Sequence, residues 1–326
     1  MAEKTLIEGI REALDEELAR DPSVFVTGED VGPRGGVFRA TMGLFARYGP
    51  NRVIDSPLAE ASIVAIGIGA ALNGMRPVCE IQFADFIHPA YNQIVNEAAR
   101  MYYRTGGQYP VPMVIRTPYG GGIGGGLYHS QSIEATFAHV PGLKVVVPSS
   151  PHDAKGLLKS AIRDNNPVLF FEHKFLYRRI KEEMPEGDHT VPLGKAVTRC
   201  EGRDLTIVTY AAMMHTSLEA ANVLAQEGID AEVIDLRTLL PLDKDAVLES
   251  VRKTNKLLVV HEDTRTGGIA GEIAAIVFEE AFEDLDGPVL RVAALDTPVP
   301  YAPSLEERFL PQVKDIVEKA RQLAKY

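Results

Sequence analysis

Two successive series of alternating strand and helix patterns, separated by one polar stretch, constrain this chain more than any other feature of its sequence. The first series begins with a helix pattern over Leu6 to Leu18 and ends with a strand pattern over Pro167 to Phe171. The second begins with a strand pattern over Leu205 to Tyr210 and ends with a helix pattern at the C-terminus. Strands that alternate with helices predict a mostly parallel sheet covered by helices on both faces. The sequence therefore predicts an α/β fold with two domains in series.

The polar stretch from Lys181 to Gly194 contains prolines and glycines and shows no hydrophobic periodicity. Such a composition is typical of a linker. The total of 326 residues also suits two domains of ordinary size. We therefore predict a first domain over residues 1–180, a linker over residues 181–195 and a second domain over residues 196–326.

The hydrophobic patterns also set limits for individual elements. Short apolar runs rich in β-branched residues predict strands, and apolar residues three or four positions apart predict helices. Further strands are predicted over residues 23–27, 52–55, 78–83, 112–116, 143–147, 231–235, 257–261 and 289–292. Further helices are predicted over residues 60–72, 89–104, 152–163, 217–227 and 243–252, and one begins at Gly268.

Charge and hydropathy exclude several classes of function. The formal net charge is -11, from 45 acidic and 34 basic residues, and no run of Lys and Arg is present, so binding to nucleic acid is not expected. No apolar stretch reaches the length of a membrane span, and the N-terminus leads into a helix without a signal-peptide pattern. We expect a cytoplasmic protein, or one of the mitochondrial matrix if the chain is a processed eukaryotic form. Cys79 and Cys200 are expected to be reduced and structural.

A glycine-rich segment, Gly120-Gly-Gly-Ile-Gly-Gly-Gly126, precedes Tyr128-His-Ser-Gln131. It lacks the Gly-Lys-Ser/Thr ending of a P-loop, and no helix pattern begins directly after it. Glycine lets a backbone approach a ligand or a subunit closely, and it is equally typical of a flexible or tightly packed loop. His129 is therefore either an exposed loop residue or a titratable group beside a cleft.

Glu60 begins an unusually apolar helix pattern, Ala61-Ser-Ile-Val-Ala-Ile-Gly-Ile-Gly69. A glutamate in the first turn of a helix normally caps it or interacts with its dipole. A carboxylate beside so apolar a segment also requires a specific partner, because a low-dielectric setting penalises an isolated charge. A helix that is apolar on nearly every face belongs inside a protein or against another subunit.

Longer segments, in order along the whole chain, carry a resemblance to a known family. Those in the first half are Val53-Ile-Asp-Ser-Pro-Leu-Ala-Glu60, Arg76-Pro-Val-Cys-Glu-Ile-Gln-Phe-Ala-Asp-Phe86, Tyr128-His-Ser-Gln131, Pro141-Gly-Leu-Lys-Val-Val-Val-Pro148 and Ser160-Ala-Ile-Arg-Asp-Asn-Asn-Pro167. Those in the second half are Val233-Ile-Asp-Leu-Arg-Thr238, Thr266-Gly-Gly-Ile-Ala-Gly-Glu272 and Asp296-Thr-Pro-Val-Pro300. Together they resemble the β chains of the decarboxylating components of 2-oxo acid dehydrogenase complexes. The resemblance implies a transketolase-like fold, in which a domain that binds the pyrimidine of thiamine diphosphate precedes a transketolase C-terminal domain.

The resemblance also assigns roles to five residues. Glu60 matches the glutamate that hydrogen-bonds the aminopyrimidine ring of thiamine diphosphate and so helps the cofactor to lose its thiazolium proton. His129 matches a histidine that assists acyl transfer to the lipoyl group of the transacylase. Leu58, Gln82 and Phe86 match positions that line the aminopyrimidine pocket, although core packing also explains Leu58 and Phe86. Phe86 replaces a tyrosine of some branched-chain relatives, so any role for a hydroxyl there is lost.

A potassium site held largely by backbone carbonyls is also implied by the resemblance. Its residues are Met113, Ala161, Ile162, Asp164 and Asn166. Taken alone, Asp164-Asn-Asn-Pro167 is typical of a turn that ends a helix.

The diphosphate-binding half of a thiamine site has no counterpart in this sequence. Thiamine enzymes hold Mg²⁺ with a Gly-Asp-Gly motif and a downstream Asn, whereas Gly187-Asp188 here is followed by His189. The resemblance therefore implies that an α subunit holds Mg²⁺ through oxygen ligands, shares the thiamine diphosphate and forms an α₂β₂ heterotetramer with this chain. It further implies that the C-terminal domain docks the lipoyl-bearing transacylase core. We interpret His261-Glu-Asp263 in that domain as ordinary loop polarity.

Three hypotheses for the function follow. The favoured one is the β subunit of a 2-oxo acid dehydrogenase, an oxidoreductase that passes the acyl group of a 2-oxo acid to lipoyl and acts only with an α chain. A non-catalytic assembly protein of the same fold would not need both Glu60 and His129. A Rossmann nucleotide-binding enzyme requires a GxGxxG motif after its first strand, where this chain has Gly28-Glu-Asp-Val-Gly-Pro33.

Different segments indicate different 2-oxo acids as the substrate. Tyr128 to Ser132 and Phe171 to Arg178 favour the branched-chain type, with a substrate such as 2-oxoisovalerate. Ser160 to Asn166 and Pro311 to Ile316 favour pyruvate, and acetoin is a further alternative. We favour the branched-chain type.

Overall fold

The structure, a computed structural model, describes residues 3–185 and 187–326, so that Met1, Ala2 and the linker residue Glu186 lie outside the described residues. It contains two compact units. The first extends to Tyr119 and resumes over Thr136–Leu193, and the second contains Gly120–Ala135 and Gly194–Tyr326. The chain passes into the second unit within the predicted linker. However, residues 120–135 belong to the second unit, although the sequence pattern places them in the first domain.

The first unit is built on a parallel sheet. The strands of this unit are β1 (Glu3–Thr5), β2 (Val24–Gly28), β3 (Val53–Asp55), β4 (Arg76–Glu80), β5 (Val114–Tyr119), β6 (Lys144–Val146), β7 (Val168–His173) and β8 (Lys181–Glu183). Six of them pair in the order β6-β7-β5-β4-β2-β3, and every pairing within this set is parallel. The predicted parallel sheet is confirmed.

The helices of the first half are α1 (Leu6–Arg20), α2 (Leu44–Tyr48), α3 (Glu60–Leu72), α4 (Ala99–Arg104), α5 (Glu134–Ala138) and α6 (Pro151–Arg163). Helices α1, α3 and α6 follow the predicted limits, whereas the short helices α2 and α5 were not predicted. The predicted helix over residues 89–104 is less regular than its pattern indicates, because a π-helical segment, Gln93–Ala98, precedes α4. Short 3₁₀ turns occupy Ala84–Phe86, His88–Ala90, Gly126–Tyr128 and Lys174–Leu176.

Helix α1 begins at a capping box and packs against α6. The Thr5 hydroxyl and the Glu8 carboxylate lie 2.7 Å apart at its first turn. A side chain at Gly9 would place its Cβ 2.8 Å from the carbonyl oxygen of Pro151 on α6. Only glycine permits so close an approach between the two helices.

Helix α3 buries one face and leaves the other uncovered within this chain. Ile63, Val64 and Ile68 are buried, whereas Ile66 is 63% exposed. A Cβ at Gly67 would lie 2.6 Å from the Cys79 sulfur on β4, so the buried face packs tightly on the sheet. Both cysteines of the chain are free, and burial raises the pKa of Cys79 to about 12.

The second unit contains a mostly parallel sheet of five strands. The strands in this part of the chain are β9 (Val197–Cys200), β10 (Leu205–Thr209), β11 (Ala231–Asp235), β12 (Thr238–Leu240), β13 (Leu257–Thr264) and β14 (Leu290–Ala294). The sheet order is β14-β13-β10-β11-β9, and only the pairing of the edge strand β9 within it is antiparallel. The helices are α7 (Ala212–Gln226), α8 (Lys244–Thr254), α9 (Ala270–Glu280), α10 (Pro303–Phe309) and α11 (Val313–Leu323), with a 3₁₀ turn over Phe282–Asp284.

Three local predictions differ from the structure. The polar residues Lys181–Glu183 form a strand, β8, which pairs antiparallel with β1; neither strand has a buried face that would give a hydrophobic signal. Helix α7 begins at Ala212, five residues before its predicted start at Ser217. The interpretation of His261-Glu-Asp263 as loop polarity is wrong, because these residues are buried in β13. No helix among the described residues is long and apolar enough to cross a membrane.

Candidate active site

The cofactor-site candidates of the first unit lie beyond the carboxyl ends of β3 and β4, which flank β2 in the parallel sheet. Strand β2 lies between β3 and β4, and its last residue Gly28 is in register with Asp55 and with Glu80. The Ser56 backbone N–H donates to the Gly28 carbonyl at 2.8 Å, which fixes the start of the segment that leads to Glu60. Ligands of open parallel sheets bind outside this edge. The topology therefore brings the segments that carry Glu60 and Gln82 to one edge.

Glu60 is the first residue of α3 and is half-buried. The residue before it is Ala59, which has no side chain that could cap the helix. Among the residues that the structure describes, no group hydrogen-bonds the Glu60 carboxylate or forms an ion pair with it. Its charge contributes, after burial and Asp30, to raising the pKa of Glu29, which follows β2. Glu60 thus offers an acceptor at the N-terminus of a helix to a partner from outside the chain.

The other predicted pocket residues surround this edge. Leu58 is 71% exposed, so core packing does not explain it. Gln82 and Phe86 are half-buried on the segment that follows β4. The Phe86 ring packs edge-on against Phe83 with ring centroids 5.5 Å apart, and Phe83 packs in turn against Phe38 at 5.4 Å. The aromatic contacts hold Phe86 in place, which is consistent with the rim of a pocket.

A buried charge network, which sequence patterns did not indicate, joins the strands beneath this edge. Arg116 on β5 is fully buried and donates to both oxygens of Glu172 on β7, at 2.7 and 2.6 Å. It also pairs with Glu80 at the end of β4. The Tyr177 hydroxyl donates to Glu172 at 2.5 Å, and the Tyr177 ring lies 5.3 Å from Phe38. The available signal was a charged residue inside or at the end of three neighbouring buried strands, Glu80, Arg116 and Glu172.

The residues assigned to potassium lie at the opposite, amino-terminal edge of the same sheet. The Arg76 guanidinium donates to the Ile162 carbonyl at 3.0 Å and to the Asp164 carbonyl at 2.8 Å. The Met113 carbonyl accepts from the Val168 N–H at 3.0 Å. The Arg76 guanidinium therefore already hydrogen-bonds two of the carbonyls in the segment assigned to potassium. The Asp164 carboxylate pairs with Lys144.

The other two predicted potassium residues take part in hydrogen bonds with Asp164. The Ala161 carbonyl accepts from the Asp164 N–H at 3.3 Å, and the Asn166 N–H donates to the Asp164 carboxylate at 2.8 Å. The potassium ligand set stays a prediction, and we derive no role for potassium.

His129 lies in the second unit, at the end of the glycine-rich loop. It is half-buried and follows the 3₁₀ turn Gly126–Tyr128. A Cβ at Gly125 would lie 2.9 Å from the His129 Cβ, so the loop packs directly against this residue. The ends of the loop are joined by a hydrogen bond of 3.3 Å from the Gly120 N–H to the Gln131 carbonyl.

Three buried acidic residues lie close to this loop within the second unit. The Tyr210 hydroxyl donates to Glu134 at 2.7 Å. Burial, followed by the charge of Asp263, raises the pKa of Glu134 well above its ordinary value. Burial also raises the pKa of Asp263 to about 6, with a further contribution from Glu262. Among the described residues, no group of three or more His, Cys, Asp or Glu could hold a metal ion.

The raised pKa of Asp263 predicts a pH-dependent cost in stability. A carboxyl group whose pKa is higher in the folded state than in the unfolded state stabilises the fold at low pH. The contribution is complete below the unfolded-state pKa near 4, and it is lost as the pH rises through the folded-state pKa of about 6. In the wild type the Thr264 N–H donates to the Asp263 carboxylate at 2.7 Å, and Asp263→Asn keeps a side-chain oxygen that can accept this hydrogen bond. We expect this variant to be more stable than the wild type at pH 7.5, by roughly 1–3 kcal/mol, and the difference to shrink toward pH 5. Urea unfolding at both pH values measures it.

A matched control is Asp296→Asn in the same unit. Hydrogen bonds from Thr266 lower the pKa of Asp296, so this replacement should lose stability above pH 4 rather than gain it. An Asp263→Asn variant with the pH dependence of the wild type would contradict the prediction.

Two family models match the chain in series. The pyrimidine-binding domain of transketolases matches residues 2–202, and the transketolase C-terminal domain matches residues 194–316. Their order confirms the predicted fold class. A solved structure described as a split gene transketolase, an inactive β4 tetramer, has a TM-score of 0.81 and 25% identity to this chain, and the match covers 98% of both chains.

Similar proteins of known function extend over the whole length. The 2-oxoisovalerate dehydrogenase subunit beta of Bacillus subtilis (strain 168) is 53% identical, and the match covers 100% of both chains. The pyruvate dehydrogenase E1 component subunit beta of the same strain is 49% identical with the same coverage. The mitochondrial pyruvate dehydrogenase E1 component subunit beta-2 of Oryza sativa subsp. japonica is 47% identical, covering 98% of this chain and 86% of the relative.

Proposed function

Because this chain belongs to the transketolase-like family of 2-oxo acid dehydrogenase β subunits, we propose that it forms half of a thiamine diphosphate site that an α chain completes. The observation that supports this most directly is the Glu60 carboxylate. It is half-buried at the carboxyl edge of the sheet and has no partner among the described residues. A charged group left without a partner in such a place is typical of a binding site rather than of a structural role.

The residues at this edge fit the pyrimidine half of the cofactor. We assign Glu60 to hold a proton at the ring nitrogen of the aminopyrimidine, exposed Leu58 to contact the ring face, and Gln82 and Phe86 to the rim of the pocket. Bound thiamine diphosphate supplies an electron sink for the carbanion that remains when a 2-oxo acid loses CO₂. The Glu60 carboxylate is suited to this task because it accepts a charge-assisted hydrogen bond from the protonated ring nitrogen.

We assign His129 to proton transfer during the passage of the acyl group to lipoyl. The two electrons left when a 2-oxo acid loses CO₂ reduce the lipoyl disulfide, so that one sulfur takes the acyl group and the other leaves as a thiolate that must gain a proton. Imidazole exchanges protons near neutral pH, which suits the donation of that proton. The histidine follows a loop that is packed closely against it, so its position is restricted.

Because this chain is proposed to form only half of the thiamine diphosphate site, other subunits must supply the rest. We place Mg²⁺ on the α chain, because this sequence has no Gly-Asp-Gly motif. An α₂β₂ heterotetramer is the proposed assembly, and the C-terminal domain is the proposed dock for the lipoyl-bearing transacylase core. The uncovered face of α3, which includes Ile66, is consistent with contact to another subunit.

For the substrate we propose a branched-chain 2-oxo acid such as 2-oxoisovalerate. The test is to purify the chain with the α chain that accompanies it, add thiamine diphosphate, Mg²⁺ and a lipoyl domain, and compare kcat/KM for 2-oxoisovalerate and pyruvate. We expect a preference for 2-oxoisovalerate of at least about tenfold, because a hydrophobic pocket gains affinity with each methyl group that it buries.

Two outcomes would contradict this proposal at different levels. A preference for pyruvate would overturn the substrate and leave the family chemistry intact. No turnover of either acid, or of acetoin, by a correctly assembled complex would indicate a non-catalytic assembly subunit instead.

A further inference from the structure

We propose that Glu262 and Glu306 are positioning residues that hold the glycine-rich loop, residues 120–126, and through it His129. Both carboxylates are nearly fully buried, at 6% and 7% exposure, in the second unit. Glu262 lies on β13 and Glu306 on α10, far from the loop in sequence. This inference rests on the proposed role of His129.

The two carboxylates accept hydrogen bonds from the backbone of the loop. Glu262 accepts from the Gly121 N–H at 2.6 Å and from the Ser132 hydroxyl at 3.1 Å. Glu306 accepts from the Gly122 N–H at 2.9 Å and from the Gly124 N–H at 3.2 Å. Bonds to an ionised acceptor are stronger than neutral ones, and buried charges require such partners. The loop and the carboxylates therefore stabilise each other.

The loop needs this external support because of its backbone. Gly120, Gly122, Gly124 and Gly126 all have positive φ, from 59° to 87°. Alternating glycines of this kind turn their N–H groups toward one side and form a concave site for an anion. In this chain the anion is supplied by the protein itself. The carboxylates of Glu262 and Glu306 occupy the N–H groups that a bound phosphate would require, which explains why the loop resembles a phosphate loop without being one.

The support extends to His129 by direct contact. Gly125 follows Gly124 and packs against both His129 and Ser130, where a Cβ would lie 2.9 Å from the His129 Cβ and 2.7 Å from the Ser130 hydroxyl. At the next residue, Gly126, a Cβ would overlap the ring of Tyr301. Movement of the loop would therefore displace His129. Since a shift of about 1 Å can lower a rate about 100-fold, this contact is sufficient for a catalytic effect.

The first test measures the loop directly, without reference to activity. Hydrogen–deuterium exchange is recorded on the assembled complex with wild-type chain, Glu306→Gln and Glu307→Gln. Glu307 is exposed on the same helix and serves as the matched control. In Glu306→Gln the side-chain NH₂ group would face a backbone N–H of the loop, so that one of the two hydrogen bonds to the loop is lost. We therefore expect the peptide containing residues 120–126 to exchange at least about tenfold faster only in this variant. Unchanged exchange in this peptide would overturn the proposal.

The second test separates positioning from general structural support. Decarboxylation is measured with an artificial electron-accepting dye, and acyl transfer with a lipoyl domain. We expect Glu306→Gln to lower acyl transfer at least about tenfold more than dye reduction, as His129→Ala does, and Glu306→Asp, which keeps the charge, to lose less. The double variant His129→Ala/Glu306→Gln should be no worse than His129→Ala, because both changes remove one function.

The outcomes distinguish this inference from the function on which it rests. Equal losses in both reactions, or additive losses in the double variant, would overturn the positioning role. An unchanged acyl transfer in His129→Ala would refute the assignment of His129 and the catalytic part of the inference, whereas the exchange result decides the loop contacts by itself. If Glu306→Gln does not fold, Glu262→Gln tests the same loop through Gly121 and Ser132.

Discussion

Glu60→Gln is expected to lower the turnover of the assembled enzyme by at least about 100-fold, the usual contribution of a positioned acid–base group. Glutamine has nearly the same shape as glutamate, but its neutral amide cannot hold a proton at the pyrimidine ring nitrogen. Because no described residue is bonded to the carboxylate, the free energy of unfolding should change by less than about 0.5 kcal/mol. Steady-state turnover at saturating thiamine diphosphate, with urea unfolding, measures both effects.

Asp245→Asn is a suitable control for this variant. Asp245 is an exposed first-turn carboxylate on α8, so its replacement removes the same kind of interaction with a helix dipole. It should leave turnover unchanged. Wild-type turnover in Glu60→Gln would contradict the assignment of Glu60, and an equal loss in Asp245→Asn would show that the loss is not specific to Glu60.

Arg116→Met is expected to lower the free energy of unfolding by about 3–5 kcal/mol, because it leaves two buried carboxylates without their counter-charge. Arg116 is fully buried between Glu80 and Glu172 and bonds both oxygens of Glu172. Methionine fills a comparable space but offers no donor. Urea unfolding at pH 8 measures the loss. The matched control is Arg203→Met, whose pair with Asp230 at 3.4 Å is exposed and should contribute less than about 1 kcal/mol.

The loss in Arg116→Met should depend on pH. Burial raises the pKa of Glu80, and Arg116 offsets part of this rise. Without Arg116 the pKa of Glu80 in the folded state rises further above its unfolded value. Protonation then restores stability as the pH falls, so the deficit relative to the wild type should shrink between pH 8 and pH 5. A deficit that is constant with pH would indicate a packing defect rather than unpaired charges.

The sequence was sufficient to predict the α/β class and the order of its elements because the signals are local. A short apolar run with β-branched residues, such as Val24–Gly28, predicts a buried strand, and the helical spacing of Leu6, Ile10 and Leu14 creates one apolar face. Where an element has no buried face, as in Lys181–Glu183, this signal disappears and the strand was missed. Glu60 was also found locally, because a carboxylate beside so apolar a helix is unusual.

The sequence by itself therefore determined most of the strands and helices that bury an apolar face, and which carboxylate begins the apolar helix. Only the tertiary structure decided which charges face each other. Glu262 and Glu306 meet the glycine loop across 141 and 184 positions of sequence, and Arg116 meets Glu172 across 56. Such pairs exist only after the chain has folded, because local periodicity specifies the buried face of an element and not its neighbour. The hydrogen-bond partners that a buried charge requires come from the neighbouring element, which local periodicity does not specify.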